Sequence, residues 1–254
     1  MKKLVLDPGH GANDDRGFYG DGAERTEGVN NFLTCVEIKK YLEERYVVDI
    51  KMTRQTVNDN PWPGRGSMYP NVDLFYSRHS NAYNGTVRGS EVLVGTGSAA
   101  ASKLAAELCA KMAELFGHNN RGLVNGDSFA VIREAKSSGA KMAMLAEFGF
   151  HDNKIDADFM TNNRKLIAAW EGEIIAKHLA LPAIQKIVVA PVATPVAKPV
   201  TTSTTGVDAP YGSIYAIRVS SVKKWSSAES ERAKAVAAGF PKAYIELVPF
   251  SKEK

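Results

Sequence analysis

Four side chains of this 254-residue chain can bind a metal ion or move a proton, and each follows a short apolar run or opens a helix-like stretch. His10 stands in LDPGHG, directly after the turn that ends an apolar run at residues 3–6. Glu27 opens a helix-like segment in TEGVNN, with Glu24 three residues earlier as a competing acid. His79 stands in FYSRHSNA and Glu147 in MLAEFGFHDN, each at the end of an apolar run. Singly, each has a plain structural reading: a histidine after a turn is often merely exposed, and acids favour helix starts through the helix dipole. Together they are two imidazoles and two carboxylates. A hydrolytic zinc site takes three ligands of the His and Glu kind and leaves one position for water. A further carboxylate, free of the metal, can take a proton from that water and return it to a leaving amine. Of the other histidines, His118 and His178 read as surface residues, and His151 as a residue lining the cleft without binding metal.

The elements that must carry these residues follow from periodicity. Residues 3–6, 47–52, 72–77, 91–94, 129–132 and 142–147 read as strands. Residues 29–45 and 99–116 read as helices, and 154–181 as a mostly helical tail. The segment 58–70, rich in Pro, Gly and Asn, reads as loop. Strands alternating with helices of this length predict an α/β fold, a twisted and mostly parallel sheet flanked by helices. In such sheets functional groups collect at the carboxyl ends of the strands, where His10, His79 and Glu147 stand, while Glu27 opens a helix.

Composition sets the remaining bounds. A hydrophobic fraction of 44% with 24% charged residues is that of a globular protein able to bury a core. The 32 basic and 28 acidic residues are mixed along the chain. No nucleic-acid partner is expected from that pattern, although the slight positive excess suits an anionic polymer such as a cell wall. Nucleotide binding is unsupported, because neither GxGxxG nor a P-loop lysine follows the first strand. Cys35 and Cys109 both fall in helix-like segments and read as buried free thiols. No stretch approaches the ~20 apolar residues of a membrane span, so no membrane insertion is expected. The opening MKKLVLDPGHG holds an apolar run of only three residues before Asp7, far short of a signal-peptide core.

The order of these motifs resembles the zinc-dependent N-acetylmuramoyl-L-alanine amidases with an opening strand-DPGHG signature, over residues 2–181. The resemblance implies a hydrolase that cuts the amide between N-acetylmuramic acid and the L-alanine of the peptide stem in bacterial peptidoglycan, with Zn²⁺ as cofactor. It implies His10, from LDPGHG, as the first ligand. Glu27, four residues ahead of Asn31, fits the family spacing for the ligating glutamate where Glu24 does not. FYSRHSNA resembles the family's strand-S-x-H-x-N-A segment and implies His79 as a ligand. RGLVNGDSFAVIREAKSSGAKMAMLAEFGFHDN resembles the closing stretch, implying Glu147 as the catalytic carboxylate and Arg133 as a substrate-binding cleft residue. Arg65 stands where members commonly carry an arginine before the second histidine. The rival readings are a zinc carboxypeptidase or endopeptidase acting on stem peptides, and a non-catalytic wall-binding protein.

Beyond residue 181 the composition changes. Residues 182–211 include APVATPVAKPVTTSTTG, which cannot build a core and reads as a linker. Residues 212–254 read as strand (215–219), helix (227–238) and strand (243–248). This unit resembles one copy of the sporulation-related repeat that binds glycan strands, with Tyr215 and Trp225 as stacking surfaces. It is small for independent stability, and a homodimer through it would complete a repeat pair. With no signal peptide, the expected location is the host cytoplasm until release to the wall. A bacteriophage endolysin is favoured over a lytic enzyme of a sporulating mother cell.

Overall fold

The structure is a computed structural model that describes residues 1–12, 26–59, 63–184, 216–219 and 244–247. Glu24, Tyr215, Trp225, the expected linker beyond residue 184 and the expected helix at 227–238 lie outside the described residues, whereas residues 182–184, expected as linker, pair with the chain at 45–47. The chain divides into two compact units, Met1–Ile184 and Gln185–Lys254.

In the first unit, six strands make one sheet: β1 (Lys2–Pro8), β2 (Val48–Met52), β3 (Leu74–Asn81), β4 (Ser90–Val94), β5 (Asn120–Asn125) and β6 (Ala143–Phe150). Their spatial order is β2-β1-β3-β6-β4-β5. All neighbours run parallel except β4, which is antiparallel to β6. Five helices accompany them: α1 (Glu27–Glu43), α2 (Ala99–Phe116), α3 (Ala130–Ser137), α4 (Lys154–Asn162) and α5 (Arg164–Leu179). Strand residues alternate between faces. One face of the sheet sends Val5, Phe75, Leu93 and Leu145 into a core closed by Ile132 and Ala135 of α3. On the other helices, Cys35, Ile38 and Leu42 of α1 and Leu104, Leu108 and Met112 of α2 recur at threes and fours and have essentially no exposure. Burying each Leu or Ile contributes roughly 1.5–3 kcal/mol relative to exposure.

Local chemistry sets several boundaries. The side chain of Ser98 caps α2, and Gly117 ends it in a left-handed conformation. Residues 129–132, expected as a strand, instead begin helix α3, with Phe129 at its N-cap. The physical reason is that Ile132 and Ala135, one turn apart, share a buried face, and a short apolar run carries too little periodicity to separate strand from helix. The expected tail at 154–181 is two helices. Asn163 leaves helical geometry between them, its side-chain amide donating to the Phe159 carbonyl at 3.1 Å. Strand β5 carries no expectation from the sequence, because none of its residues is fully buried and no apolar alternation marks it. Cys35 and Cys109 are buried free thiols. Among the described residues no helix is long and apolar enough to cross a membrane.

In the second unit, β7 (Ala216–Val219) pairs in parallel with β8 (Tyr244–Leu247).

Candidate metal centre and active site

Three of the four sequence candidates converge. The ends of parallel strands β1 and β3 carry His10 and His79 to one place, and the first turn of α1 brings Glu27 between them. One ligand atom from each of His10, Glu27 and His79 lies within 4.8 Å of the others. His10 Nε2 is 3.3 Å from Glu27 Oε2, and His79 Nδ1 is 3.2 Å from Glu27 Oε1. The two imidazoles meet edge to face at 4.9 Å. Donor atoms around a tetrahedral zinc, with bonds of ~2.0–2.1 Å, stand about 3.4 Å apart. The set therefore fits a small divalent cation.

The acid at the helix start is not a dipole ornament, because Glu27 is only 2% exposed. Thr26 caps α1, and Glu27 Oε1 accepts from the Ser80 backbone at 3.1 Å and from Asn31 Nδ2 at 3.3 Å. Asn31 in turn accepts from Arg78, whose Nε donates to Glu171 at 3.1 Å, and Glu171 also accepts from Tyr76. This buried chain supports Glu27 from behind. Burial pushes the Glu27 carboxyl upward, but the hydrogen bond to His79 and the charges of His79, His10 and His151 outweigh it and hold the pKa at about 2. For His79, burial opposes protonation, yet the hydrogen bond it donates to Glu27 and the charges of Glu147 and Glu27 raise its pKa above the ordinary value.

His10 follows Gly9 and adopts φ +57°, a left-handed conformation unusual for a residue with a side chain. Gly9 is needed at its position, since a Cβ there would fall 2.4 Å from the ring of His79. Glu147 is the register partner of His79 on β6. Burial first, then the charges of Glu27 and Glu91, lift its pKa to about 7 against the pull of His79 and Arg78. Its Oε2, like Nε2 of His79, is buried without a hydrogen-bond partner. Orphaned polar atoms of this kind mark a place where a water or an ion belongs.

Beside His10 opens a cleft of about 340 Å³, walled by Arg65, Val131 and Glu134 among others. Arg65 is anchored by Nε at 3.3 Å from Asp7 Oδ1, and Asp7 is itself buried and bonded by the hydroxyls of Thr53 and Ser77. Arg133 is exposed on the same helix as Val131, with Nη1 donating to the Ser128 carbonyl at 2.6 Å. His151 is buried behind the site, 3.7 Å from Glu27 Oε2 and 3.0 Å from the Ser80 hydroxyl. Sequence reasoning passed over Arg54, whose guanidinium reaches the His10 and Gly28 carbonyls. Its signal was its place two residues beyond β2, at the same sheet end as the other candidates. His118 corrects the sequence reading: its side chain is fully buried, held between Ser90 and Asp156. His178 is partly buried and pairs with Glu107 at 2.8 Å.

A family model described as N-acetylmuramoyl-L-alanine amidase matches residues 4–175, which include the metal-capable triad and Glu147. The chain belongs to that amidase family. It is an amidase acting on cell-wall peptidoglycan, as the family assignment states. Solved structures agree in fold. The catalytic domain of CwlV, an N-acetylmuramoyl-L-alanine amidase from Bacillus (Paenibacillus) polymyxa var. colistinus, aligns with a TM-score of 0.60 and 24% identity, over 71% of this chain and 99% of that one. AmiC2 of Nostoc punctiforme aligns with a TM-score of 0.59 and 24% identity, over 70% and 97%. Cwp6 from Clostridium difficile aligns with a TM-score of 0.60 and 26% identity, over 70% of this amidase but 29% of that longer chain. No curated protein sequence matches the chain.

Proposed function

We propose that this amidase works with a single zinc ion held by His10, Glu27 and His79, and that Glu147 moves the proton. The observation that carries the reading is the convergence of three ligand atoms within 4.8 Å, from segments up to 69 residues apart. When bound, zinc supplies a Lewis acid that polarises the scissile carbonyl and acidifies water. The chain's own residues do the rest. A Glu27 carboxyl held at about 2 stays ionised throughout the physiological range and so remains a ligand. Glu147, whose carboxyl burial raises to about 7 in the metal-free protein and which a bound dication would bring lower, can accept a proton from the attacking water and return it to the alanine nitrogen as the amide breaks. Arg65, fixed on Asp7, puts positive charge on the cleft wall for the anionic groups of the stem peptide, and Arg133, exposed on the helix that forms part of that wall, is the second candidate for binding them.

The parallel pairing of β7 with β8 requires a long crossover between them. That supports reading residues 212–254 as one strand-helix-strand copy of a wall-binding repeat, which a second chain would complete as a pair.

Mass spectrometry of products from purified sacculi tests the reading. New N-terminal alanine is expected, abolished by a chelator and restored by zinc. Undiminished lysis by chelated protein would overturn the zinc assignment, and release of stem-peptide fragments without N-terminal alanine would overturn the assigned bond.

A further inference from the structure

The His10 turn and the first turn of α1 supply neighbouring ligand atoms yet belong to separate segments. Their backbones touch: a Cβ on Gly28 would fall 2.0 Å from the Gly11 carbonyl oxygen. One side chain spans that contact. Arg54, fully buried, donates from Nη1 to the His10 carbonyl at 2.7 Å and to the Gly28 carbonyl at 2.8 Å, and from Nη2 to the Val57 carbonyl at 2.7 Å. Its guanidinium also lies 5.2 Å from the ring centroid of Phe32 on α1. The planar fork of arginine can reach several carbonyls at once, which an ammonium cannot do in one fixed geometry. His10 is the residue with the left-handed backbone, so its carbonyl direction is set by a conformation that needs outside support.

We propose that Arg54 is a positioning residue for the metal centre: by bonding the carbonyls of His10 and Gly28 together, it holds the His10 imidazole and the Glu27 carboxylate at a spacing that one cation can bridge. This rests on the assignment of His10, Glu27 and His79 as ligands. Arg54 is fully buried and its guanidinium donates to backbone carbonyls, so its effect should appear in metal affinity more than in turnover once the site is full. Outer partners of metal ligands typically alter affinity by 10–100-fold.

The test compares wild type, Arg54→Lys, Arg54→Met and, as a control for general destabilisation, Leu108→Ala in the distant α2 core. Zinc affinity is measured by chelator competition, fold by circular dichroism of the metal-free proteins, and kcat on a soluble muropeptide at limiting and saturating zinc. The expected result is zinc affinity weakened roughly 10–100-fold in Arg54→Met and less in Arg54→Lys, with Leu108→Ala unchanged and kcat recovering to within threefold at saturating zinc. Zinc affinity within twofold of wild type in a folded Arg54→Met protein would overturn the proposal. So would an equal loss in Leu108→Ala, or failure of both Arg54 variants to fold even with zinc, since either result makes Arg54 a general stability residue. Absence of stoichiometric zinc in the wild type would instead overturn the ligand assignment itself, and this proposal with it.

Discussion

His79 of β3 and Glu147 of β6 are register partners on adjacent parallel strands, so the proposed ligand and the proposed proton-transfer group leave the sheet side by side. Their spacing is thus fixed by backbone hydrogen bonds rather than by loop conformation. Replacing Glu147 with Gln keeps the shape and removes the base. Zinc content, read by elemental analysis, should stay at wild-type level while kcat falls by about 10²–10⁴. Near-normal turnover by that variant would reject the role.

The same carboxyl sets a pH dependence. With a pKa raised to about 7 in the metal-free protein, Glu147 is protonated below that value and ionised above it. A base must be ionised, so activity should rise with pH through its acid limb. A dication close by favours the carboxylate, hence zinc should move the titration to lower pH, as should Glu91→Gln, which removes a neighbouring negative charge. Titration of labelled glutamate by NMR, with and without zinc, checks the direction.

Gly9 is a steric requirement for the observed placement of the His79 ring. In Gly9→Ala the new methyl group would overlap the His79 ring, 2.4 to 2.5 Å away. The ring must move, so zinc affinity should fall at least about tenfold, comparable with loss of an outer partner. Unfolding of the metal-free protein should weaken by only ~1–3 kcal/mol, as for overpacking. Chelator competition beside urea denaturation separates the two effects.

Arg78 and Glu171 are fully buried and paired at 3.1 Å, linking β3 to α5 beneath Glu27. Removing one partner leaves the other charge without compensation in a dry interior. Glu171→Leu is expected to cost ~3–5 kcal/mol in urea unfolding, and the double variant Glu171→Leu with Arg78→Met substantially less. Equal losses in single and double variants would show that the pairing itself is not what matters.

Since Met1–Ile184 is a compact unit containing the candidate ligands His10, Glu27 and His79, a chain ending at Ile184 should bind zinc and turn over a soluble muropeptide within twofold of the full chain. Co-sedimentation with sacculi should drop if the remainder binds the wall. A truncated protein with no zinc would show that the catalytic unit extends further.

The sequence by itself determined what is local. The apolar runs of β1, β3 and β6, the Ser98 cap and Gly117 stop of α2, and the positions of His10, His79 and Glu147 just past or within strand ends are written in near-neighbour chemistry. An α/β sheet follows from their alternation. The tertiary structure decided what depends on partners far along the chain. Glu27, a ligand candidate already from its spacing to Asn31, is set apart from an ordinary helix-start acid because His79, 52 residues away, faces it in a buried place. Arg54 acquires its meaning from carbonyls 44 and 26 residues distant. His118 is buried because Ser90 and Asp156 enclose it, and β5 is a strand because β4 offers it an edge. Hydrogen bonds between remote residues leave no period in a sequence, so only the folded chain reveals them.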